Sequence, residues 1–121
     1  MELKNKILLV EPDQVLSIEI SSYLKQFGYE ITGSVQYIFA AINSIDIEKP
    51  DIIIIDCTIN EQIVEFISKY VKLPLIIISN QYEREILKYS NKIKVLSIVN
   101  KPFNIYSIQA PVAIGFSKLI Y

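Results

Sequence analysis

The sequence predicts an α/β fold in which a doubly wound parallel sheet is covered by helices on both faces. Five short apolar runs recur along the 121 residues: KILLV (6–10), YEITG (29–33), DIIIID (51–56), LPLIIIS (73–79) and KVLSIV (94–99). Most of them are continuous rather than alternating, as expected for strands that are buried on both faces of a parallel sheet. Segments with helical spacing lie between the runs, and this strict alternation is typical of a doubly wound sheet with right-handed crossovers.

Five segments carry apolar residues at the spacing of a helix. The stripes are Leu16, Ile20, Leu24 and Phe27; Val35, Ile38, Ile42 and Ile45; Ile59, Ile63, Phe66 and Tyr70; Tyr82, Ile86 and Tyr89; and Ile105, Ile108, Val112 and Leu119. Gly28 directly follows the first stripe and predicts the end of that helix, and Ser34 can cap the second helix. Pro111 falls inside the fifth stripe and removes a backbone donor there, so that helix either kinks at Pro111 or starts near Ala110.

Composition restricts the classes of function. The content of 51% hydrophobic residues predicts one globular domain over residues 1–121. The net charge of -1 predicts that this domain has no basic face for nucleic acid. The absence of histidine removes the usual Ser-His and metalloenzyme chemistries. A single cysteine, Cys57, fits a reducing compartment. The N-terminal apolar run is far too short for a signal peptide or a membrane span, so we expect a cytoplasmic protein with no membrane contact.

Polar residues follow the predicted strands, at the edge where an open parallel sheet binds its ligands. Glu11 and Asp13 come after the first run, Asp56 ends the third, Ser79 ends the fourth and Lys101 follows the fifth. Because neighbouring carboxylates raise each other's pKa and repel, we expect a divalent cation and an ammonium to share this site. Hard oxygen ligands suit Mg²⁺, and a lysine opposite the ion can neutralise a phosphoryl group on Asp56. The inferred chemistry is transfer of a phosphoryl group to an aspartate.

At this order and spacing, the chain resembles a response-regulator receiver domain of two-component signalling over essentially its whole length. The motifs that carry the resemblance are ILLVEPD, GYEITGS, KPDIIIID, LPLIIIS and VNKPF. The resemblance implies a flavodoxin-like, doubly wound, five-stranded parallel sheet of order 2-1-3-4-5 with about five flanking helices. It also implies that Asp56 is the phosphoacceptor, Ser79 the switch hydroxyl and Lys101 the lysine that precedes a proline. The implied Mg²⁺ ligands are Glu11, Asp13, Asp56 and Thr58 through its backbone carbonyl.

The resemblance also implies partners for the chain. The phosphodonor would be a phosphohistidine on a sensor histidine kinase or a phosphotransfer protein. The face of the fourth helix and fifth strand, near Tyr82, Tyr89 and Ile98, would bind an output partner or a second copy of the chain. No direct binding of nucleic acid and no dedicated enzymatic activity are expected, beyond phosphorylation and dephosphorylation of Asp56 by the domain itself.

Several residues depart from the receiver pattern and keep other interpretations open. Pro12 stands where a second acid ends the first strand of similar receivers, and Ile98 stands where an aromatic residue is common. The loop after Asp56 is shorter by about seven residues. These departures favour a degenerate receiver, a phosphorylation-independent protein-binding module with weak or absent Mg²⁺ binding. A third hypothesis is a haloacid-dehalogenase-like phosphatase, although Thr58 replaces the second aspartate of that family. Asp13 is a candidate helix cap as much as a metal ligand.

Overall fold

The computed structural model describes residues 5–36, 38–56, 73–79, 95–101 and 104–120. The strands in these ranges are β1 (Lys6–Val10), β2 (Glu30–Val35), β3 (Ile52–Asp56), β4 (Leu75–Ser79) and β5 (Val95–Asn100). The helices are α1 (Gln14–Gln26), α2 (Ile38–Glu48) and a C-terminal helix (Gln109–Ile120) that follows a 3-10 turn (Ile105–Ser107). The helices predicted near residues 59–70 and 82–89 lie outside the described residues. Within those described, no helix combines the length and apolar character needed to cross a bilayer.

The five strands form one parallel sheet in the order β2-β1-β3-β4-β5. The prediction of a doubly wound sheet of order 2-1-3-4-5 is therefore confirmed. The chain passes from β1 to β2 on one side and then returns to place β3 on the other side of β1. The order thus reverses between β1 and β3, whose last paired residues are Val10 and Ile55. Ligands of such sheets bind beyond the carboxyl ends of the strands at this reversal.

Alternate residues of β1, β3 and β4 contribute to two separate core layers, because successive side chains of a strand point to opposite faces. One layer, under α1 and the C-terminal helix, includes Ile7, Leu9, Ile52, Ile54, Ile76, Ile78, Ile20, Leu24, Val112 and Phe116. The other layer, under α2, includes Leu8, Val10, Ile53, Ile55, Leu75, Ile77 and Ala41. All four isoleucines of β3 are buried. Burial on both faces is the physical reason for the uninterrupted run Ile52–Ile55.

The end of α1 follows the sequence prediction. Gly28 has φ +89°, a left-handed conformation that glycine adopts without a steric penalty. The backbone N–H of Gly28 donates to the carbonyl of Lys25 at 3.1 Å, and that of Tyr29 donates to Leu24 at 3.3 Å. These two bonds satisfy carbonyls at the helix end in the Schellman arrangement. The chain is thereby turned from α1 into β2.

The sequence predictions for the starts of α2 and of the C-terminal helix have different outcomes. The prediction that Ser34 caps the second helix is wrong, because β2 continues to Val35 and Ser34 pairs with Leu9 of β1. The later start of the last helix is confirmed, since this helix begins at Gln109. Pro111 lies in its first turn, where a backbone N–H has no partner within the helix and its loss costs little.

Candidate functional site

Two acids lie side by side where the strand order reverses. Glu11 follows β1, and its backbone N–H donates to the carbonyl of Val35 in β2 at 2.9 Å. Asp56 is the last residue of β3 and pairs with Ile78 of β4. Both side chains are 0% exposed. Burial of two carboxyl groups is costly unless charge or protons compensate for the lost hydration.

Lys101 provides one part of that compensation. It follows β5, two strands away from β3 in the sheet, and its ammonium donates a hydrogen bond to Oδ2 of Asp56. Its side chain is 24% exposed, so the ion pair is buried on the side of the carboxylate and reaches water on the side of the lysine. This ion pair stabilises the ionised carboxylate of Asp56 at the edge of the sheet and keeps the positive charge of the Lys101 ammonium next to it.

A proton provides the other part. The pKa of Glu11 is raised to about 7, first by burial and then by a hydrogen bond with Asp56 and the charge of that residue, whereas the backbone N–H of Asp13 and the charge of Lys101 lower it. Two carboxyl groups can share a hydrogen bond only when one of them carries a proton. Glu11 is therefore the carboxyl group of the pair that holds a proton as the pH falls below neutral.

The two oxygens of Glu11 have different environments. Oε2 accepts a hydrogen bond from the backbone N–H of Asp13 at 3.1 Å. Oε1 is buried and receives no N–H or O–H donor within the part of the chain that the structure describes. This oxygen can carry the proton that is shared with Asp56, or it can face a cation once Glu11 is ionised.

The other predicted site residues lie at different places. Oδ1 of Asp13 accepts a hydrogen bond from the backbone N–H of Leu16 at 3.1 Å, so Asp13 is the N-cap of α1. Ser79 ends β4, and its backbone pairs with Asn100, next to Lys101. It therefore lies at the same edge of the sheet as Asp56. Thr58 lies outside the described residues.

Sequence patterns did not predict that the amide of Asp13 would hold Glu11. The tripeptide Glu11-Pro12-Asp13 carries a partial signal, because a proline fixes one backbone dihedral and an aspartate before an amphipathic stripe is a frequent cap.

A groove of about 400 Å³ beside α1 was also not predicted. Its lining residues are Gln14, Ser17, Ile18, Ser34, Val35, Gln36 and Ala40. Its wall includes a hydrogen bond between the hydroxyls of Ser17 and Ser34.

The donor set at the sheet edge fits a hard divalent cation with few protein ligands. No three acidic or thiol side chains converge on one point among the described residues. The two acids that do meet are Glu11 and Asp56, and Oε1 of Glu11 is buried without a donor. Mg²⁺ is commonly held by one or two carboxylates and keeps several waters. Two carboxylates are enough for an ion of this kind.

Solved structures identify the fold. A response regulator from Thermotoga maritima superposes with a TM-score of 0.79 at 16% identity, over 95% of this chain and 99% of that one. The non-phosphorylated HemR receiver domain from Leptospira biflexa gives a TM-score of 0.78 at 23% identity, over 94% and 95% of the two chains. The chain has the fold of a response-regulator receiver domain. The resemblance seen in the sequence is thus confirmed at the level of the receiver fold.

Sequence comparison gives a more distant relationship. No family model matches the chain. The transcriptional regulatory protein PdtaR of Mycobacterium tuberculosis is 20% identical over 118 residues, which cover 93% of this chain and 57% of that protein. The receiver-fold chain therefore spans little more than half the length of this curated relative.

Proposed function

We propose that the protein is a signal receiver that accepts a phosphoryl group on Asp56 from a histidine of a partner kinase or phosphotransfer protein. The observation that carries this proposal is the bond between the Lys101 ammonium and the buried carboxylate of Asp56. This pair lies at the edge of the sheet where the strand order reverses. It combines a nucleophilic oxygen with a fixed positive charge, the two elements that phosphoryl transfer to a carboxylate needs.

The chemistry requires little of the protein beyond position and charge. An oxygen of Asp56 attacks the phosphorus, a new O–P bond forms, and the N–P bond to the donor imidazole breaks. The imidazole nitrogen leaves with the electron pair of that bond and takes up a proton. Lys101 then exchanges its carboxylate partner for an oxygen of the phosphoryl group. Because the site is buried, this charge pairing is stronger than it would be in water.

Glu11 and Asp56 are the proposed ligands of Mg²⁺, with the backbone carbonyl of Thr58 as a further proposed ligand. A bound ion would supply positive charge for the phosphoryl oxygens. Glu11 must be ionised to bind a cation, and its pKa is raised to about 7. Protons and the cation therefore compete for this carboxylate, and we expect Mg²⁺ to bind more tightly as the pH rises through that value.

We propose that β5 transmits the effect of phosphorylation at Asp56 to the surface of the protein. Lys101 directly follows this strand, so a change of partner at its ammonium acts on the end of β5. Ile98 in the same strand packs partly buried against the core layer under α2. The proposed output face combines this strand with the helix predicted at residues 82–89, which lies outside the described residues. A receiver switch of this kind needs two arrangements that differ by only a few kcal/mol.

The test is a search for a covalent adduct. The purified protein is incubated with Mg²⁺ and acetyl phosphate, and its intact mass is measured. We expect the mass of one added phosphoryl group in an acid-stable, base-labile adduct that disappears in Asp56→Asn. Asp46→Asn, the same change at an exposed acid of α2, serves as the control and should keep the adduct. We expect Lys101→Ala to abolish adduct formation. A folded wild-type protein without an adduct would contradict the proposal.

A second candidate function is a degenerate receiver that binds its partner without phosphorylation. It is favoured by the use of Asp13 as a helix cap, which takes one of the predicted acids away from the metal site. The expected result is then no adduct with an intact fold, and equal partner affinity for the wild type and Asp56→Asn. Catalytic turnover of phosphate esters in the same experiment would instead support the phosphatase hypothesis.

A further inference from the structure

Asp13 makes two contacts with two different groups. Its side-chain Oδ1 accepts the backbone N–H of Leu16 at 3.1 Å, and its own backbone N–H donates to Oε2 of Glu11 at 3.1 Å. Its backbone is extended, with φ -79° and ψ 110°, which is the conformation of a helix N-cap. The carboxylate therefore serves α1, whereas the amide serves Glu11.

Burial separates Asp13 from the two acids of the site. Glu11 and Asp56 are fully buried, while Asp13 is exposed. If the Asp13 carboxylate moved onto a cation, the N–H of Leu16 would lose its acceptor at the start of α1. Pro12 has no backbone N–H, so Asp13 supplies the first backbone N–H after Glu11 that can donate to the Glu11 carboxylate.

We propose that Asp13 is a positioning residue for Glu11. Its carboxylate fixes the start of α1, and its backbone N–H fixes Oε2 of Glu11, which leaves Oε1 for the site. A divalent cation at this edge is then bound by Glu11 and Asp56 without the carboxylate of Asp13. The cation part of this inference rests on the proposed function, whereas the role of the amide does not.

Titration with Mg²⁺ alone tests the cation part. The dissociation constant for Mg²⁺ is measured from backbone amide shifts of the full chain. Asp13→Asn keeps a side-chain acceptor in the cap and removes the charge, and we expect it to change Kd by less than about threefold because an exposed charge is screened. Glu11→Gln is the matched control at a proposed ligand, and we expect it to weaken binding by about tenfold or more.

Equal losses of Mg²⁺ affinity in Asp13→Asn and Glu11→Gln would overturn the cation part, because Asp13 would then be a ligand. A wild-type chain that binds no Mg²⁺ would contradict both the cation part and the proposed metal site. In that case, the role of Asp13 toward Glu11 is decided by the amide measurement alone.

Two amide resonances report the two contacts of Asp13 separately. We expect Glu11→Ala to shift the proton resonance of the Asp13 amide upfield, because this amide loses its acceptor, and to leave the Leu16 amide nearly unchanged. In Asp13→Ala, residue 13 keeps its N–H, so we expect the proton resonance of that amide to stay nearly unchanged. The Leu16 amide loses its acceptor, so we expect its proton resonance to shift upfield and the melting temperature to fall by a few degrees. An Asp13 amide that does not respond to Glu11→Ala would overturn the proposal.

Discussion

At the scale of single residues, the site is defined by two buried acids beside one ammonium. The sequence predicted that an ammonium shares the site with Asp56, and the structure gives Asp56 the ammonium of Lys101 as a partner while the carboxylate remains fully buried. Neighbouring carboxylates were predicted to raise each other's pKa. For Glu11 this direction is confirmed, although burial is a larger cause than Asp56. The relative weight of these causes depends on packing, which residue spacing cannot show.

The raised pKa of Glu11 predicts a pH-dependent contribution to stability. Its pKa is about 7 in the folded protein, against an ordinary value of 4.5. The folded state thus binds this proton more tightly than the unfolded state. The contribution is fully present below about pH 4.5 and is lost as the pH rises to about 7, with a size on the order of 3 kcal/mol.

The measurement is urea unfolding of the wild type and of Glu11→Gln at a series of pH values. Glutamine cannot titrate, so comparison with this variant removes the pH dependence of all other groups. We expect the free energy of unfolding of the wild type to fall relative to the variant as the pH rises through this window. A constant difference between the two proteins would contradict the assignment of the proton to Glu11.

At the scale of elements, turns and caps place the site residues. Asp13 begins α1 and holds Glu11 at the same time, so the start of the helix and the geometry of the site are linked. The sequence left open whether Asp13 is a cap or a ligand, because both roles suit an aspartate after a strand. Pro111 was likewise compatible with a kink or a late start, and only the observed helix boundary at Gln109 decides between them.

The end of α1 gives a prediction at the same scale. Gly28 has φ +89°, and an added Cβ would meet no heavy atom within 4 Å. The cost of Gly28→Ala is therefore backbone strain alone, about 1–2 kcal/mol of unfolding free energy. Gly28→Asn is the matched control, since asparagine tolerates the left-handed region better, and it should lose less. Equal stability of the alanine variant and the wild type in urea unfolding would contradict the left-handed turn.

At the scale of the whole molecule, the fold was largely predictable and the details of the site were not. Continuous apolar runs such as Ile52–Ile55 require a strand that is covered on both faces, and this requirement predicts the sheet. The strand order came from the resemblance to receivers. The edge strand β2 was placed too short, because its half-exposed residues give no clear pattern up to Val35. Contacts made by backbone groups, such as the amide of Asp13, leave almost no trace in side-chain patterns.

The central claim is that Glu11, Asp56 and Lys101 form one site for a phosphoryl group. A crystal structure of the protein with Mg²⁺ and beryllofluoride, a phosphoryl mimic, tests this claim most directly. We predict beryllium bonded to an oxygen of Asp56, with the Lys101 ammonium on a fluorine atom and Glu11 at the cation. Beryllofluoride that is absent or bound elsewhere, with Lys101 still on the carboxylate of Asp56, would contradict the claim.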